Sequence, residues 1–185
     1  YQERTKRIST YMKQEYARIC REKNTTDNPA FYEALIQNYI YKGPIVEWYI
    51  RIKVKMEGNY RLFNRLIPTQ GQITDIGCGF GPLCYMLSLL SDDRNILGID
   101  YDEDKIAVAQ HGWLRGDRLQ FRHGNALEYP LPESDVFILN DMLHYMSYEH
   151  QRSLLLKCAG RLRPQGMMII PVSYTHLTLP TICSV

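Results

Sequence analysis

The sequence predicts an α/β protein in which a doubly wound parallel sheet follows a helical segment. Two observations support this prediction: the spacing of the apolar residues changes near residue 68, and short apolar runs alternate with helical patterns after that point. The apolar runs end in Gly or Asp, as buried parallel strands do. Because strands that alternate with helices form a parallel sheet covered on both faces, we expect one open sheet between two layers of helices.

The first part of the chain is predicted to be helical. Gly43 and Pro44 separate the second helix from the third, and Gly58 and Asn59 are expected to break or kink the third. The three predicted helices cover residues 3–23, 29–41 and 45–67. Apolar residues of the third helix recur at helical spacing, and we expect them to pack in the core rather than to form an aromatic ligand cage. They are Ile45, Trp48, Tyr49, Ile52, Met56, Tyr60 and Phe63.

The second part of the chain supplies the sheet and its helices. The predicted strands are "GQITDIG", "NILGIDYD", "LQFRHGNA", "SDVFILND" and "GMMIIPV". The helical patterns between them cover about residues 82–91, 103–113 and 148–162. Ligands of such sheets bind beyond the carboxyl ends of the strands, where the strand order reverses.

Composition narrows the class of protein. With 185 residues, 45% hydrophobic and 23% charged, the chain has the make-up of a soluble domain, and no run approaches the roughly 20 apolar residues that a membrane helix needs. The five cysteines show neither a C-x-x-C pair nor zinc-ligand spacing. We therefore expect reduced thiols, a cytoplasmic location and no metal site.

Charge is unevenly distributed. Residues 1–68 contain 13 lysines and arginines against seven acidic residues, a net charge of +6, whereas residues 69–171 contain nine against 13, a net charge of −4. The simplest interpretation is a set of solvated helix faces. A basic region is also suited to anionic lipid, an acidic carrier protein or nucleic acid. Among such partners we expect a carrier protein or a membrane surface and no nucleic acid.

A glycine-rich turn, "DIGCGFGP" at residues 75–82, follows the first predicted strand. Its G-x-G-x-G spacing differs from the dinucleotide fingerprint G-x-G-x-x-G, since Pro82 stands at the sixth position, and it lacks the lysine of a nucleoside triphosphate loop. Pro82 is suited to open the next helix, whose positive end then faces the ligand. Asp75 is unfavourable beside a pyrophosphate and favourable beside an ammonium group. The turn therefore predicts a nucleoside ligand that carries an amine.

These motifs resemble those of the class I S-adenosylmethionine-dependent methyltransferases over about residues 67–171, with "DIGCGFG" matching the family's glycine motif. The resemblance implies a Rossmann-like fold, truncated here after the fifth strand, and S-adenosyl-L-methionine as cofactor. It places Asp100 at the ribose hydroxyls, Tyr101 on the adenine face, Asn125 and Ala126 at the adenine edge, and Asn140 near the transferring methyl. The implied cofactor-binding set is Asp75, Gly77, Cys78, Gly79, Gly81, Asp100, Tyr101, Asn125, Ala126 and Asn140.

The resemblance implies methyl transfer to a small-molecule or lipid-like acceptor. A general base is needed only if the acceptor must lose a proton. The candidates are His144, the only histidine expected near the methyl, and Tyr145, although packing or capping is the favoured role for both. Two alternatives stay open: a non-catalytic domain that binds cofactor or docks a partner, and, more remotely, a nicotinamide-dependent oxidoreductase.

The segments "YQERTKRIS", "NTTDNPAFYEALIQNYIYKGPIVEWYIRIKVKMEGNYRLF" and "DMLHYM" resemble a bacterial family of fused proteins. Those chains join a lipid-exporter-type transporter, a lysophospholipid-type acyltransferase and a terminal class I methyltransferase, which implies a location at the cytoplasmic face of the inner membrane. The segment "VSYTHLTLPT" resembles a translated sequencing adapter, so we expect a fragment whose fifth strand has an open edge. The expected divisions are a helical segment at 1–66, whose start is the end of the acyltransferase region, an incomplete methyltransferase domain at 67–171 and a non-native tail at 172–185.

Overall fold

The structure is a computed structural model that describes residues 10, 11, 14, 29–56, 60–174 and 177–184. The predicted helix at 3–23 therefore lies almost entirely outside the described residues, and so does the expected break at Gly58 and Asn59. Within the described ranges, no helix is both long enough and apolar enough to cross a membrane.

Helices make up the described part of the chain before the sheet. They are α1 (Pro29–Gln37), a 3-10 turn (Ile40–Lys42), α2 (Pro44–Met56) and α3 (Tyr60–Leu66). Gly43 takes a φ of +98°, which L-residues with a side chain rarely adopt, and so the chain can turn between the 3-10 turn and α2. Pro44 then opens α2 at the position where a missing N–H costs nothing.

The sheet has six strands in the order β3-β2-β1-β4-β5-β6, with β1 to β5 parallel. The strands are β1 (Gln70–Ile76), β2 (Asp93–Asp100), β3 (Leu119–His123), β4 (Ser134–Ile138), β5 (Leu162–Tyr174) and β6 (Leu177–Ser184). The helices of this part are α4 (Pro82–Leu90), α5 (Glu103–Gln110) and α6 (Tyr148–Ala159), with a 3-10 turn at Leu143–Tyr145. This architecture confirms the predicted α/β fold, and the strand order reverses at β1.

Two apolar clusters cover the sheet. The larger one joins the helical segment to the domain, because Phe31, Leu35 and Tyr60 pack with Leu83 and Tyr85 of α4. The smaller one lies under α6 and includes Phe137, Leu154 and Cys158. The helical segment thus shares a core with the sheet.

The expected core face of the third predicted helix is only partly correct. Tyr60 and Phe63 are buried, but Ile45, Trp48 and Tyr49 are 82%, 65% and 44% exposed. The structure divides the predicted helix into α2 and α3, so residues before and after the division do not share one face. In α2 the opposite side packs inward instead, through Ile50 and Val54.

The expected open edge of the fifth strand is also absent. Residues 177–184 form β6, which pairs with β5 in antiparallel register from Met167 opposite Ser184 to Tyr174 opposite Leu177. An exposed strand edge presents unpaired N–H and C=O groups that any suitable segment can satisfy. The last fourteen residues contain no Asp, Glu, Lys or Arg and include three threonines and two valines, and a segment with few charges and several β-branched residues readily adds to an edge.

A buried arginine ties the helical segment to the sheet. Arg94 of β2 is 1% exposed and donates hydrogen bonds to the carbonyls of Ile67 (3.0 Å), Pro68 (2.8 Å) and Leu87 (3.0 Å) and to Asn64 Oδ1 (3.2 and 3.3 Å). Burial lowers the pKa of Arg94 to about 10, so the guanidinium stays charged at neutral pH. Arg94 therefore joins three parts of the chain: α3, the link between α3 and β1, and α4.

We predict that Arg94→Met lowers the free energy of unfolding by about 2–4 kcal/mol, because several buried acceptors lose their donor together. Urea unfolding followed by circular dichroism measures this change. Arg118→Met is the matched control, since Arg118 is an exposed arginine paired with Asp93 at 3.6 Å. A control loss below about 0.5 kcal/mol is expected, and equal losses in both variants would contradict the role of Arg94.

Candidate functional site

A cavity of about 820 Å³ opens at the carboxyl ends of β1, β2 and β4. This is the edge where the strand order reverses, and ligand sites of open α/β sheets lie there. The volume is within the usual range for small-molecule sites. The position, the size and the polar groups described below make this cavity the candidate site.

The glycine turn after β1 forms the floor of the cavity. Gly77, Gly79 and Gly81 all have positive φ, between +57° and +76°. A Cβ at Gly79 would have no described atom within 4 Å, so this glycine faces open space in the cavity. A Cβ at Gly81 would instead overlap the ring of Phe121. The missing side chain at Gly79 therefore leaves space for a ligand, whereas the missing side chain at Gly81 leaves space for the ring of Phe121.

The carboxylate of Asp100, at the end of β2, holds the turn in place. Its Oδ2 accepts a hydrogen bond from Gly79 N at 2.7 Å, and its Oδ1 accepts one from Asp102 N at 2.9 Å. Asp102 caps α5 by accepting from Lys105 N, and this bond, with the nearby Lys105 ammonium at 3.2 Å, lowers the pKa of Asp102. Asp100 thus connects the carboxyl ends of β1 and β2 and lines the cavity.

Asp75 and two thiols lie beneath the turn. Asp75 is 2% exposed, reaches the cavity wall and accepts a hydrogen bond from Cys84 Sγ at 3.2 Å. Burial raises the pKa of both the Cys84 and the Cys78 thiols, so both are protonated at neutral pH and able to donate. Cys78, Cys84 and Cys158 are free thiols. The site therefore has a buried carboxylate close to the point where the chain turns.

A loop after β3 forms one wall. Asn125, Ala126 and Leu127 line the cavity, and Asn125 Oδ1 accepts from Leu127 N at 3.1 Å. The ammonium of Lys157 on α6 donates to the carbonyls of Ala126 (3.0 Å), Leu127 (2.7 Å) and Tyr129 (2.7 Å). A single cation on α6 thus holds the wall that carries Asn125 and Ala126.

The segment after β4 forms the opposite wall. Asn140, Tyr145 and His150 line the cavity, as does Asp141, which has a positive φ of 53° despite being a non-glycine residue. Backbone strain of this kind persists where surrounding contacts enforce it. One such contact is an ion pair between Asp141 and Lys53 of α2 at 3.2 Å.

His144 does not lie where the sequence suggested. It is not part of the cavity wall: its side chain is 55% exposed, and its Nδ1 lies 3.6 Å from Asp141 Oδ1. Both residues lie in the 3-10 turn at residues 143–145 with ring centroids 3.9 Å apart, and of the two it is Tyr145 that lines the cavity. His150, which no sequence motif singles out, is the histidine that lines the cavity in the described part of the chain.

The helical segment also contributes to the site. Tyr49, Ile50 and Lys53 of α2 line the cavity, and the Tyr49 ring lies edge-on to Phe80 with centroids 5.3 Å apart. Sequence reasoning missed these residues because the motif is local and the approach of α2 is a matter of tertiary packing. The positive φ of Asp141 and its ion pair with Lys53 could not be predicted from any pattern in the sequence.

The cavity brings together all the predicted cofactor-binding residues except Gly81. Those in its wall are Asp75, Gly77, Cys78, Gly79, Asp100, Tyr101, Asn125, Ala126 and Asn140. No cluster of three or more potential metal ligands occurs among residues whose placement the structure describes.

We predict that Lys157→Met loosens the wall formed by residues 125–129, because three carbonyls lose a charged donor. Hydrogen exchange of amides in this loop should become faster, and the free energy of unfolding should fall by about 1–3 kcal/mol. Arg152→Met is the control, since Arg152 is an exposed cation on the same helix. Unchanged exchange in the loop of the Lys157 variant would contradict this positioning role.

Comparison with known proteins gives one family match and several relatives. Residues 73–166 match the family described as "Methyltransferase domain". A probable S-adenosylmethionine-dependent methyltransferase of Mycolicibacterium smegmatis is 33% identical over 102 residues, which cover 53% of this chain and 36% of the relative. A carboxy-S-adenosyl-L-methionine synthase of Wolinella succinogenes is 26% identical over 125 residues, covering 65% and 51%. The chain thus spans about a third to a half of these curated relatives.

Among solved structures, the PH0226 protein of Pyrococcus horikoshii OT3 aligns with a TM-score of 0.57 and 20% identity. The alignment covers 64% of this chain and 57% of that one. At this level of identity the likeness shows the shared fold.

Proposed function

Because the chain belongs to the methyltransferase domain family, we propose that it binds S-adenosyl-L-methionine in the cavity and transfers its methyl group to a small-molecule or lipid-like acceptor. The family match confirms the predicted methyltransferase class, and the S-adenosylmethionine-dependent relative supports the predicted cofactor. It does not favour the nicotinamide-dependent alternative. The observation that carries the proposed site is the open space at Gly79 beside the Asp100 carboxylate.

The cavity residues fit the cofactor by the chemistry of their donors and acceptors. Each Asp100 oxygen accepts one backbone N–H, and since a carboxylate oxygen has two lone pairs, each keeps capacity for a ribose hydroxyl. Tyr101, which is 77% exposed, offers a ring for the adenine face. Asn125 and Ala126 line the same cavity, where they are available to the adenine edge. Asp75 supplies the negative charge that suits the ammonium group.

When bound, the cofactor supplies an already activated methyl group. The chain therefore has to orient the acceptor and exclude water. Asn140, Tyr145 and His150 form the wall that we assign to the acceptor. Where the acceptor must lose a proton, we propose His150 as the base, because it lines the cavity and an imidazole nitrogen can accept a proton.

We predict that Gly79→Ala weakens binding of S-adenosylhomocysteine at least tenfold, since the added methyl group would occupy ligand space. Isothermal titration calorimetry measures the affinity. Gly81→Ala is the matched variant, because it shares the positive φ but places its methyl group against Phe121. It should lower the melting temperature more than Gly79→Ala does. Normal affinity in the Gly79 variant would contradict the proposal that the ligand lies against this turn.

Replacing Asp100 with Ala should weaken cofactor binding by roughly 1.5–3 kcal/mol, the range for hydrogen bonds to a charged group. Titration with S-adenosylhomocysteine again reports the change. Asp93→Ala is the control, because Asp93 is an exposed carboxylate at the other end of the same strand. An unchanged dissociation constant for the Asp100 variant would mean that the ribose is held elsewhere.

We also propose that cofactor binding needs no metal ion, so that a chelator leaves the affinity unchanged. A loss of affinity on addition of EDTA would contradict this. A chain that binds S-adenosylhomocysteine but methylates no candidate acceptor in a product screen would instead support the non-catalytic alternative.

The wider context is a further part of the proposal. From the resemblance of its segments, we propose that the chain divides at 1–66, 67–171 and 172–185. We also propose that it derives from a transporter, acyltransferase and methyltransferase fusion of the cytoplasm or inner membrane face, and that the tail at 172–185 is adapter-derived. The basic helical segment would face a carrier protein or a membrane surface. Sequencing the genomic DNA on both sides of this coding region tests all of these points, and a natural reading frame that encodes "VSYTHLTLPT" would contradict the adapter origin.

A further inference from the structure

One side of α2 carries large apolar side chains that point away from the protein core. Ile45, Trp48, Tyr49 and Ile52 follow i, i+3, i+4, i+7 spacing and so share one side of the helix. The first three are exposed and Ile52 is half-buried. We call these four residues the outer face of α2.

Among the described residues, packing accounts for only part of the outer face: the Tyr49 ring contacts Phe80, whereas Ile45 and Trp48 are 82% and 65% exposed. The core contacts of α2 come from its other side, where Ile50 and Val54 are buried. An isolated exposed apolar residue is ordinary, but a contiguous row of them marks an interaction surface. The outer face is therefore available to a partner.

The charges around the outer face indicate the chemistry of that partner. Lys42, just before α2, and Lys55, in its last turn, are both exposed. Glu47, the acidic residue of α2, and Glu33 of α1 share Arg51, at 3.1 and 2.7 Å, so this group of three keeps one net negative charge beside the two lysines. Among the described residues neither lysine forms an ion pair, so the region keeps a net positive charge, and exposed apolar side chains flanked by lysines are suited to a surface that is both apolar and anionic.

The outer face continues into the mouth of the cavity. Tyr49 belongs to both, since it lies on the outer face and lines the cavity. Tyr101 and Tyr145, which are also exposed, line the same cavity. A partner bound to the outer face would therefore lie beside the entrance of the site.

We propose that the outer face of α2 docks the protein on an anionic lipid bilayer. Trp48 and Tyr49 have the amphipathic rings that settle at the headgroup level, Ile45 is placed to enter the acyl boundary, and lysines are attracted to anionic headgroups. In this orientation an acceptor with an apolar tail reaches the cavity from the lipid surface. That last point rests on the proposed methyl transfer, whereas the docking does not.

Vesicle binding by the 185-residue chain tests the docking. The chain should co-sediment with vesicles of phosphatidylcholine and phosphatidylglycerol, bind phosphatidylcholine vesicles more weakly, and dissociate as salt is raised. The double variant Ile45→Ser/Trp48→Ala should lower the partition coefficient by about tenfold or more. Leu156→Ser, which removes an exposed apolar side chain from α6, is the control and should leave it unchanged.

Two further variants report on the charge and on the insertion. Lys42→Gln/Lys55→Gln should weaken binding to the anionic vesicles and leave binding to phosphatidylcholine vesicles nearly unchanged. In a Trp113→Phe background, Trp48 becomes the remaining tryptophan, and its emission should shift to shorter wavelength when anionic vesicles are added.

The proposal is overturned if the chain binds neither kind of vesicle or if the outer-face variant partitions like the parent. It is also overturned if the chain forms a dimer that this variant dissociates, since the face would then join two copies. Titration with S-adenosylhomocysteine without vesicles keeps the two proposals apart. If the Asp100→Ala chain loses cofactor affinity but still binds vesicles, the docking is supported. If the parent chain binds the cofactor normally but binds no vesicles, the docking is contradicted and the proposed methyl transfer is not.

Discussion

The candidate site depends on the two hydrogen bonds that the Asp100 carboxylate accepts from Gly79 N and Asp102 N. These bonds join the turn after β1 to the turn after β2, at the edge where the strand order reverses. Because Asp100 is 6% exposed, the bonds form where water competes little for the carboxylate. The position of the glycine turn, and with it the open space at Gly79, follows from this arrangement.

The helical segment is part of the site and not a separate attachment. Arg94 donates to the carbonyls of Ile67 and Pro68 in the link between α3 and β1, and Lys53 of α2 pairs with Asp141 on the cavity wall. Since α2 forms part of the cavity wall, a change in the helical segment changes the space around the site. This coupling explains why residues outside the family match, at 73–166, belong to the cavity.

The features that could be predicted from the sequence are those set by local motifs. The alternation of strands and helices, the glycine turn and Asp100 depend on neighbouring residues, and the predicted fold and methyltransferase family are confirmed. The orientation of α2 could not be predicted, because this helix is apolar on both sides and periodicity does not tell which side faces inward. His150 and Lys53 were missed for a related reason: each reaches the cavity only through tertiary packing. The pairing of β6 with β5 depends on an available edge, which no local pattern reports.

A crystal structure of the chain with S-adenosylhomocysteine tests the central claim most directly. The account predicts that the ligand lies in the cavity at the carboxyl ends of β1, β2 and β4, with both ribose hydroxyls within hydrogen-bond distance of the Asp100 carboxylate and the ligand passing over Gly79. A ligand bound elsewhere, or one in this cavity that makes no contact with Asp100, would contradict it.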